Sequence, residues 1–258
     1  MSLVHTIILG IVEGITEFLP VSSTGHLILV EKILLIPQTE FVKSFDIIIQ
    51  LGAILAVVIL YAKTVLTKLF LIPKIIVAFL PTAVIGFSLY SVVKHSLLGN
   101  PLVTVVSLFA GGVLFILLER KLGKDTVSTS SLSGITLAQS FFIGLMQSVS
   151  IVPGVSRAAA SIFGGMMTGL TRQTAVEFSF LLAIPTMAAA VGLDLIKTGF
   201  LFSRSEWTTL GIGFMISFLT ALIAVKFLMA FIKTNTFVPF GVYRIVLAIA
   251  FWALILRP

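Results

Sequence analysis

Glu13 and Glu17 stand four residues apart within an otherwise apolar stretch, LVHTIILGIVEGITEF. On a helix this spacing puts both carboxylates on one face. Two like charges so close are unfavourable unless a cation, a proton or hydrogen bonds intervene, and burial adds to the cost. The run VSSTGH follows Pro20 and supplies hydroxyls at Ser22, Ser23 and Thr24 and an imidazole at His26. A loop that leaves a proline and runs into a helix can aim backbone N–H groups and hydroxyls at an anion. The same residues would also serve as a plain helix break with a hydroxyl cap. His26 gains weight because Glu13, Glu17 and a candidate nucleophile share its stretch.

A second cluster lies in PGVSR, residues 153–157. Arg157 cannot shed its proton, so at membrane depth it needs an anionic partner. Its planar fork suits a phosphate; an ion pair with one of the two glutamates is the alternative. Ser156 and Ser161 add hydroxyls, and Gly164–Gly165 permits close packing. Asp46 and Gln50 share a helix face and could line the same cavity. Glu177, Asp194, Lys226 and Arg244 read as lying near span ends, where snorkelling suffices, and His5 and His95 read as interfacial. Acidic, hydroxyl, imidazole and guanidinium groups together suit hydrolysis of a phosphate ester or anhydride whose body is lipid.

The elements that hold these groups must be membrane helices. Of 258 residues, 58% are hydrophobic and only 10% charged, with a mean hydropathy of +1.19. Soluble domains carry roughly a quarter charged residues, and disorder is excluded in the opposite direction. The net charge of +7 comes from basic residues set singly between apolar runs, which does not suit nucleic acid. With no cysteine, disulfides, thiolate catalysis and Cys-ligated metals are out. Spans are expected at 45–61, 71–93, 102–118, 178–196, 210–232 and 240–256. Residues 3–36 and 136–172 each read instead as two short apolar helices around a Pro/Ser/Gly break. Broken backbone at membrane depth survives only where it is buried or lines a cavity, so both are expected to be re-entrant hairpins.

The two breaks resemble one another. Pro20 and Pro153 lie 133 residues apart and each precedes a serine by three positions, Ser23 and Ser156. Each half is then one hairpin plus three spans. An odd number of spans turns the second half over, an inverted-topology repeat with its hairpins meeting near the midplane. The expected fold is all-α and polytopic, one integral membrane domain over 1–258, with repeats of about 1–134 and 135–258. Gly10 and Gly14 form a small-xxx-small packing pair. Lys63, Lys68, Lys74, Arg120, Lys121, Lys124 and Lys233 fall on one face, and Lys94, Lys197 and Arg204 on the other. The more basic face is expected to be cytoplasmic.

EGITEFLPVSSTGH (13–26) and PGVSRAAAS (153–161) resemble the two signature regions of the undecaprenyl-diphosphate phosphatase family, also called bacitracin-resistance proteins. FDIIIQLGAILAVV (45–58) and EFSFLLAIP (177–185) resemble flanking family segments, so the likeness spans nearly the whole chain. The resemblance implies a bacterial inner-membrane enzyme that converts C55-isoprenyl diphosphate to the monophosphate carrier of peptidoglycan synthesis. It also implies opposed re-entrant hairpins, a fold often homodimeric, and a need for a divalent cation such as Mg²⁺ or Ca²⁺. The family's (E/Q)xxxE motif falls on Glu13 and Glu17, its serine and histidine on Ser23 and His26, and its PGxSRSxxT motif on Pro153–Ser161. Ala158 stands where the family usually has a second serine, and Ser161 where it has threonine.

On this reading Arg157 and the hairpin N–H groups hold the diphosphate, with Ser22, Thr24, Ser156, Ser161 and Gln50 around it. One or both of Glu13 and Glu17 bind the cation. Ser23 attacks the terminal phosphorus, with His26 or Glu17 as base; direct attack by His26 or by water stays open. The active site is expected to open to the extracytoplasmic side. The alternative function is a lipid-phosphate transporter or flippase without hydrolysis, which would also use broken midplane helices and Arg157.

Overall fold

A chain this apolar must satisfy its backbone polar groups within its own helices. The computed structural model describes residues 1–93, 97, 100–122, 129–198 and 202–253; Lys94, His95 and Lys124 lie outside them. The described residues form ten α-helices: α1 Leu3–Thr16, α2 Ser23–Ile33, α3 Glu40–Thr67, α4 Leu71–Val92, α5 Pro101–Leu122, α6 Leu137–Ser148, α7 Arg157–Met167, α8 Arg172–Thr198, α9 Arg204–Phe231 and α10 Val238–Phe251. Among them α3, α4, α5, α8 and α9 are long and apolar enough to cross a bilayer. The expected sixth span is the 14-residue α10 within the described residues, and 254–256 fall outside them. Large apolar side chains such as Val84 (63%) and Ile223 (71%) lie exposed on the outside, as lipid-facing residues should. The protein is an all-helical, polytopic membrane protein.

Helix packing depends on missing side chains. Gly10 sits under the Gly213 carbonyl of α9, and a Cβ at Gly14 would collide with Thr220 and Ser217. The Gly10/Gly14 pair therefore seats α1 on α9. Gly144 does the same for α6 against the Ala78 carbonyl of α4, and Gly52 for α3 against the Phe214 carbonyl. In an apolar solvent such close backbone approach supplies much of the helix-helix attraction.

The two short-helix pairs break in matching ways. Ser22 (φ 72°) and Ser156 (φ 77°) both sit in the left-handed region, which costs an L-residue roughly 1–2 kcal/mol. Each caps the helix that follows: Ser22 Oγ accepts from Gly25 N at 3.4 Å and Ser156 Oγ from Ala159 N at 3.2 Å. This corrects the register read from the prolines. Ser22, not Ser23, matches Ser156, and Ser23 matches Arg157 as the first helical residue. The second break holds one more residue between proline and cap, accommodated by Gly154 at φ 92°. The chain flanking α6–α7 also closes on itself. Thr129 N donates to Gly169 O at 3.1 Å, Thr171 N to Thr129 O at 3.0 Å, and Gln139 Nε2 to Thr168 O at 2.9 Å.

Arg244 holds both breaks. Snorkelling near a span end is not its role: it lies within α10 and is fully buried. Its Nη1 donates to Pro20 O (3.3 Å) and Val155 O (2.9 Å), its Nη2 to Gly154 O (2.7 Å) and Ser107 O (3.2 Å), and its Nε to Leu108 O (3.4 Å). One side chain thus ties the first break, the second break and α5 together. Gly111 leaves the room, since a Cβ there would strike the guanidinium. Asp194 is likewise buried rather than snorkelling, and accepts from Ser44 Oγ at 3.4 Å.

Arg244→Met should lower the detergent melting temperature sharply, because each buried carbonyl left unpaired costs about 1–3 kcal/mol. Arg244→Lys, with three donors for five acceptors, should fall between. Gly144→Leu should cost at least about 1–3 kcal/mol through overpacking. Gly211→Ala, with nothing within 4 Å of the new Cβ, should be neutral or stabilise α9 by about 1 kcal/mol. A melting temperature for Gly144→Leu equal to that of Gly211→Ala would refute the packing argument.

Candidate active site

A cavity of about 1060 Å³ opens among α2, α3, α4, α7 and α8. The first turns of α2 and α7 form its floor, because both breaks are held at the same place by Arg244. Glu17, Ser22, Ser23, Thr24, Ser156 and Arg157 all line it, as do Asp46 and Gln50 from α3. Ser23 and Arg157, 134 residues apart in sequence, meet at one carboxylate. Ser23 Oγ donates to Glu17 Oε2 at 2.5 Å. Arg157 donates from Nε (3.4 Å) and Nη2 (3.3 Å) to Glu17 Oε1, and from Nη1 to Ser179 O at 3.1 Å. Its guanidinium lies 5.6 Å from the Phe18 ring centroid. The ion pair expected as the alternative role of Arg157 is therefore present, yet the side chain remains on the cavity wall.

Glu13 lies deeper, fully buried and off the cavity surface. It receives no hydrogen bond from a protein donor at either carboxyl oxygen, and α1 carries it one helical turn before Glu17, on the same face. Such a pair must share a proton or a cation. Its oxygens and those of Glu17 form an all-oxygen donor set of the kind hard divalent cations prefer. Among the described residues no group of three or more His, Cys, Asp or Glu gathers as a metal site. The remaining positions of such a cation would fall to water and substrate oxygens, as is usual for Mg²⁺. The residues fit the ion.

His26 is turned away from the cavity. Its Nδ1 lies 2.7 Å from Ser22 O and its Nε2 2.7 Å from the Tyr243 hydroxyl, with the two rings stacked. Both ring nitrogens are thereby engaged in joining α2 to α10. Of the two bases left open by the sequence, Glu17 is the one in contact with Ser23. Ser161 also lies behind the wall, bonded to Arg157 O (2.9 Å) and Ser179 Oγ (2.6 Å). It supports the backbone that carries Arg157. Ala158 is fully buried in the apolar core, so the hydroxyl absent there would not have faced the cavity.

Sequence reading missed several polar groups. Thr82, Gln147 and Thr186 form a buried bridge between α4, α6 and α8: Gln147 Nε2 donates to Thr82 Oγ1 at 3.0 Å and to Thr186 Oγ1 at 3.1 Å. Glu31 is 1% exposed and accepts from Gln38 Nε2 at 2.7 Å. An ionisable residue inside an apolar helix, as with Arg244 and Glu31, was the available signal.

The chain's likeness to known proteins extends across this whole arrangement. The family model described as bacitracin resistance protein BacA matches residues 6–250. An undecaprenyl-diphosphatase of Aquifex aeolicus is 50% identical over 252 residues, 98% of each chain. One from Sulfurihydrogenibium is 47% identical, covering 98% of this chain and 99% of the relative. One from Wolinella succinogenes is 46% identical over 97% of both. Both helix breaks, Arg244 and every cavity-lining residue named above fall inside the matched segment, and the chain belongs to the bacitracin resistance protein BacA family.

Proposed function

We propose that this protein hydrolyses undecaprenyl diphosphate to undecaprenyl phosphate and inorganic phosphate, recycling the lipid carrier of cell-wall polymer synthesis. The observation that carries the reading is Glu17, which holds a serine hydroxyl through one oxygen and an arginine through the other at the wall of one cavity. Transport of the lipid phosphate would gain nothing from a hydroxyl held by a carboxylate. Arg157 offers its fork to the diphosphate as the phosphate replaces Glu17 in front of it. Ser23 Oγ attacks the terminal phosphorus while its proton passes to Glu17. The bond from that phosphorus to the bridging oxygen breaks, and the lipid monophosphate leaves with the proton from Glu17. Water then attacks the phosphoserine, giving a proton to Glu17 that returns to the Ser23 oxygen as inorganic phosphate departs. Glu13 and Glu17 would hold a divalent cation, Mg²⁺ or Ca²⁺, whose charge offsets that of the phosphates and polarises the breaking bond.

The same proposal includes the architecture: a single membrane domain of two inverted repeats, each a re-entrant hairpin and three further helices. In its support, α1 through α5 and α6 through α10 run in the same order, α1 packs on α9 as α6 packs on α4, and the capped breaks correspond. The contacts of Thr129 with Gly169 and Thr171 favour a second hairpin that returns to its own side. Lys74 Nζ donates to Ser133 O at 2.7 Å and Arg172 pairs with buried Glu119, which groups the basic loops at one end. The cavity is lined instead by the opposite end, at Glu40, Lys43 and Ile196. By the positive-inside rule this end faces outward, giving an inner-membrane enzyme open to the extracytoplasmic side.

Phosphate release from farnesyl diphosphate in detergent tests the chemistry. Ser23→Ala should lose nearly all turnover while keeping its melting temperature; undiminished release would remove Ser23 as nucleophile. Arg157→Lys should stay folded yet lose about ten- to a hundredfold in rate, the worth of a charge-assisted bond made in the transition state. An active Lys variant beside an unstable Arg157→Ala would show a purely structural ion pair. Glu13→Gln should raise the Mg²⁺ concentration needed for half-maximal rate, and should weaken Mn²⁺ binding measured by paramagnetic resonance without substrate. Unchanged Mn²⁺ binding would take Glu13 out of the cation site.

A further inference from the structure

The polar side of the cavity carries two acids that the hydrolysis does not use. Helix α2 lines it with Thr24, Ile28 and Glu31, and α3 with Lys43, Asp46 and Gln50, each set spaced to fall on one helix face. Glu31 stands eight residues beyond Ser23 on α2, about 12 Å along the helix axis. It is only 1% exposed; its Oε2 accepts from Gln38 Nε2 at 2.7 Å, and its Oε1 receives no hydrogen bond. Asp46 Oδ1 is likewise buried and without a donor, and the two carboxylates repel one another. The basic side chains of the cavity are engaged elsewhere. Lys43 pairs with Glu40 at 2.7 Å and Arg157 with Glu17 at 3.3 Å. Among the described residues no basic side chain is bonded to Glu31 or Asp46.

We propose that Glu31 and Asp46 hold a divalent cation of their own, on the polar wall of the cavity and separate from the one assigned to Glu13 and Glu17. The donors are carboxylate oxygens, the ligands that Mg²⁺ and Ca²⁺ take, and Mg²⁺ in particular uses one or two carboxylates and fills its other positions with water. A cavity of about 1060 Å³ has room for that water. Glu31 also lies in the last turn of α2, where the partial negative end of the helix favours a cation. A single shared proton would leave one negative charge buried on this wall, whereas a divalent cation offsets both. At its distance from Ser23 the ion does not act on the breaking bond, since paired catalytic metals stand about 4 Å apart. Its effect is on charge. Five acidic side chains line the cavity against two basic ones, a field that repels any entering anion, and an ion between Glu31 and Asp46 removes part of it. The site stands on these contacts whether or not the protein is a hydrolase.

Mn²⁺ serves as the probe, its free concentration followed by paramagnetic resonance in titrations of the detergent-solubilised full chain without substrate. The wild type should bind two ions, and Glu31→Gln and Asp46→Asn only one. Glu13→Gln should also bind one, and the double variant Glu13→Gln/Glu31→Gln none. Glu177→Gln, whose carboxylate accepts from Gln173 Nε2 at 2.9 Å and does not line the cavity, should keep both. In Mn²⁺-soaked crystals of the wild type, anomalous density should lie between Glu31 and Asp46. A count equal to that of the wild type in Glu31→Gln or Asp46→Asn of normal melting temperature would overturn the site and leave the two acids sharing a proton. Should both variants fail to fold, the crystals decide alone, and density confined to Glu13 and Glu17 would overturn it equally. If only the cation assigned to Glu13 and Glu17 is wrong, the wild type binds one ion, which Glu13→Gln keeps and Glu31→Gln loses.

Discussion

Breaking a helix inside a membrane strands carbonyls that no water can reach, and this protein answers that constraint with Arg244. Its five N–H bonds go to backbone oxygens of both breaks and of α5. No carboxylate is among these acceptors. The arrangement uses a property of arginine that lysine lacks, a fixed fan of donors wide enough to serve several chain segments at once. Because Pro20 and Gly154 share one guanidinium, the first turns of α2 and α7 cannot drift apart. The meeting of Ser23 with Arg157 follows from that tie more than from any direct attraction between them.

Glu17 converts this scaffold into chemistry. A carboxylate with one oxygen on a serine and the other on an arginine fixes both side chains before substrate arrives, which lowers the ordering cost of reaching the transition state. It also neutralises Arg157 on the cavity wall. Glu13, buried behind it without a donor, makes the acid pair a place where a positive charge, whether proton or metal ion, is required. In the proposed mechanism substrate binding exchanges one carboxylate for a phosphate in front of Arg157.

Much of this was legible from residue types. Glu17, Ser22, Ser23, Thr24, Gln50, Ser156 and Arg157 could be assigned to one cavity because ionisable and hydroxyl groups at membrane depth have few other reasons to be there. What misled was local spacing. The two prolines suggested Ser23 as the partner of Ser156, but a proline marks where a helix ends and not how the chain turns afterwards. The turn is set by the residue able to occupy positive φ and cap the next helix, and that is Ser22. Arg244 was misread because an arginine within a short helix looks the same in sequence whether its stem climbs to the interface or its head is buried. His26 could be read as a base only until its neighbours across the fold were known, since Tyr243 lies 217 positions away.

If the two halves are repeats, their differences are where the function lies. The positions 134 apart put Ser23 beside Arg157 as first residues of their helices, and Glu13 beside Gln147 on the preceding ones. Each pair joins unlike partners. In the proposed mechanism one half carries the nucleophile and the acid pair, and the other the cationic clamp; the second half also carries an amide that bonds Thr82 and Thr186. Had both halves kept carboxylates, the cavity would repel a diphosphate. Had both kept arginines, nothing would hold a serine hydroxyl ready to react. Two helix N-termini already favour an anion through their partial positive ends, and that contribution is common to both halves. On the proposed reading, a duplicated scaffold would bind phosphate by symmetry, and would hydrolyse the bound group because the side chains at the matching positions diverged.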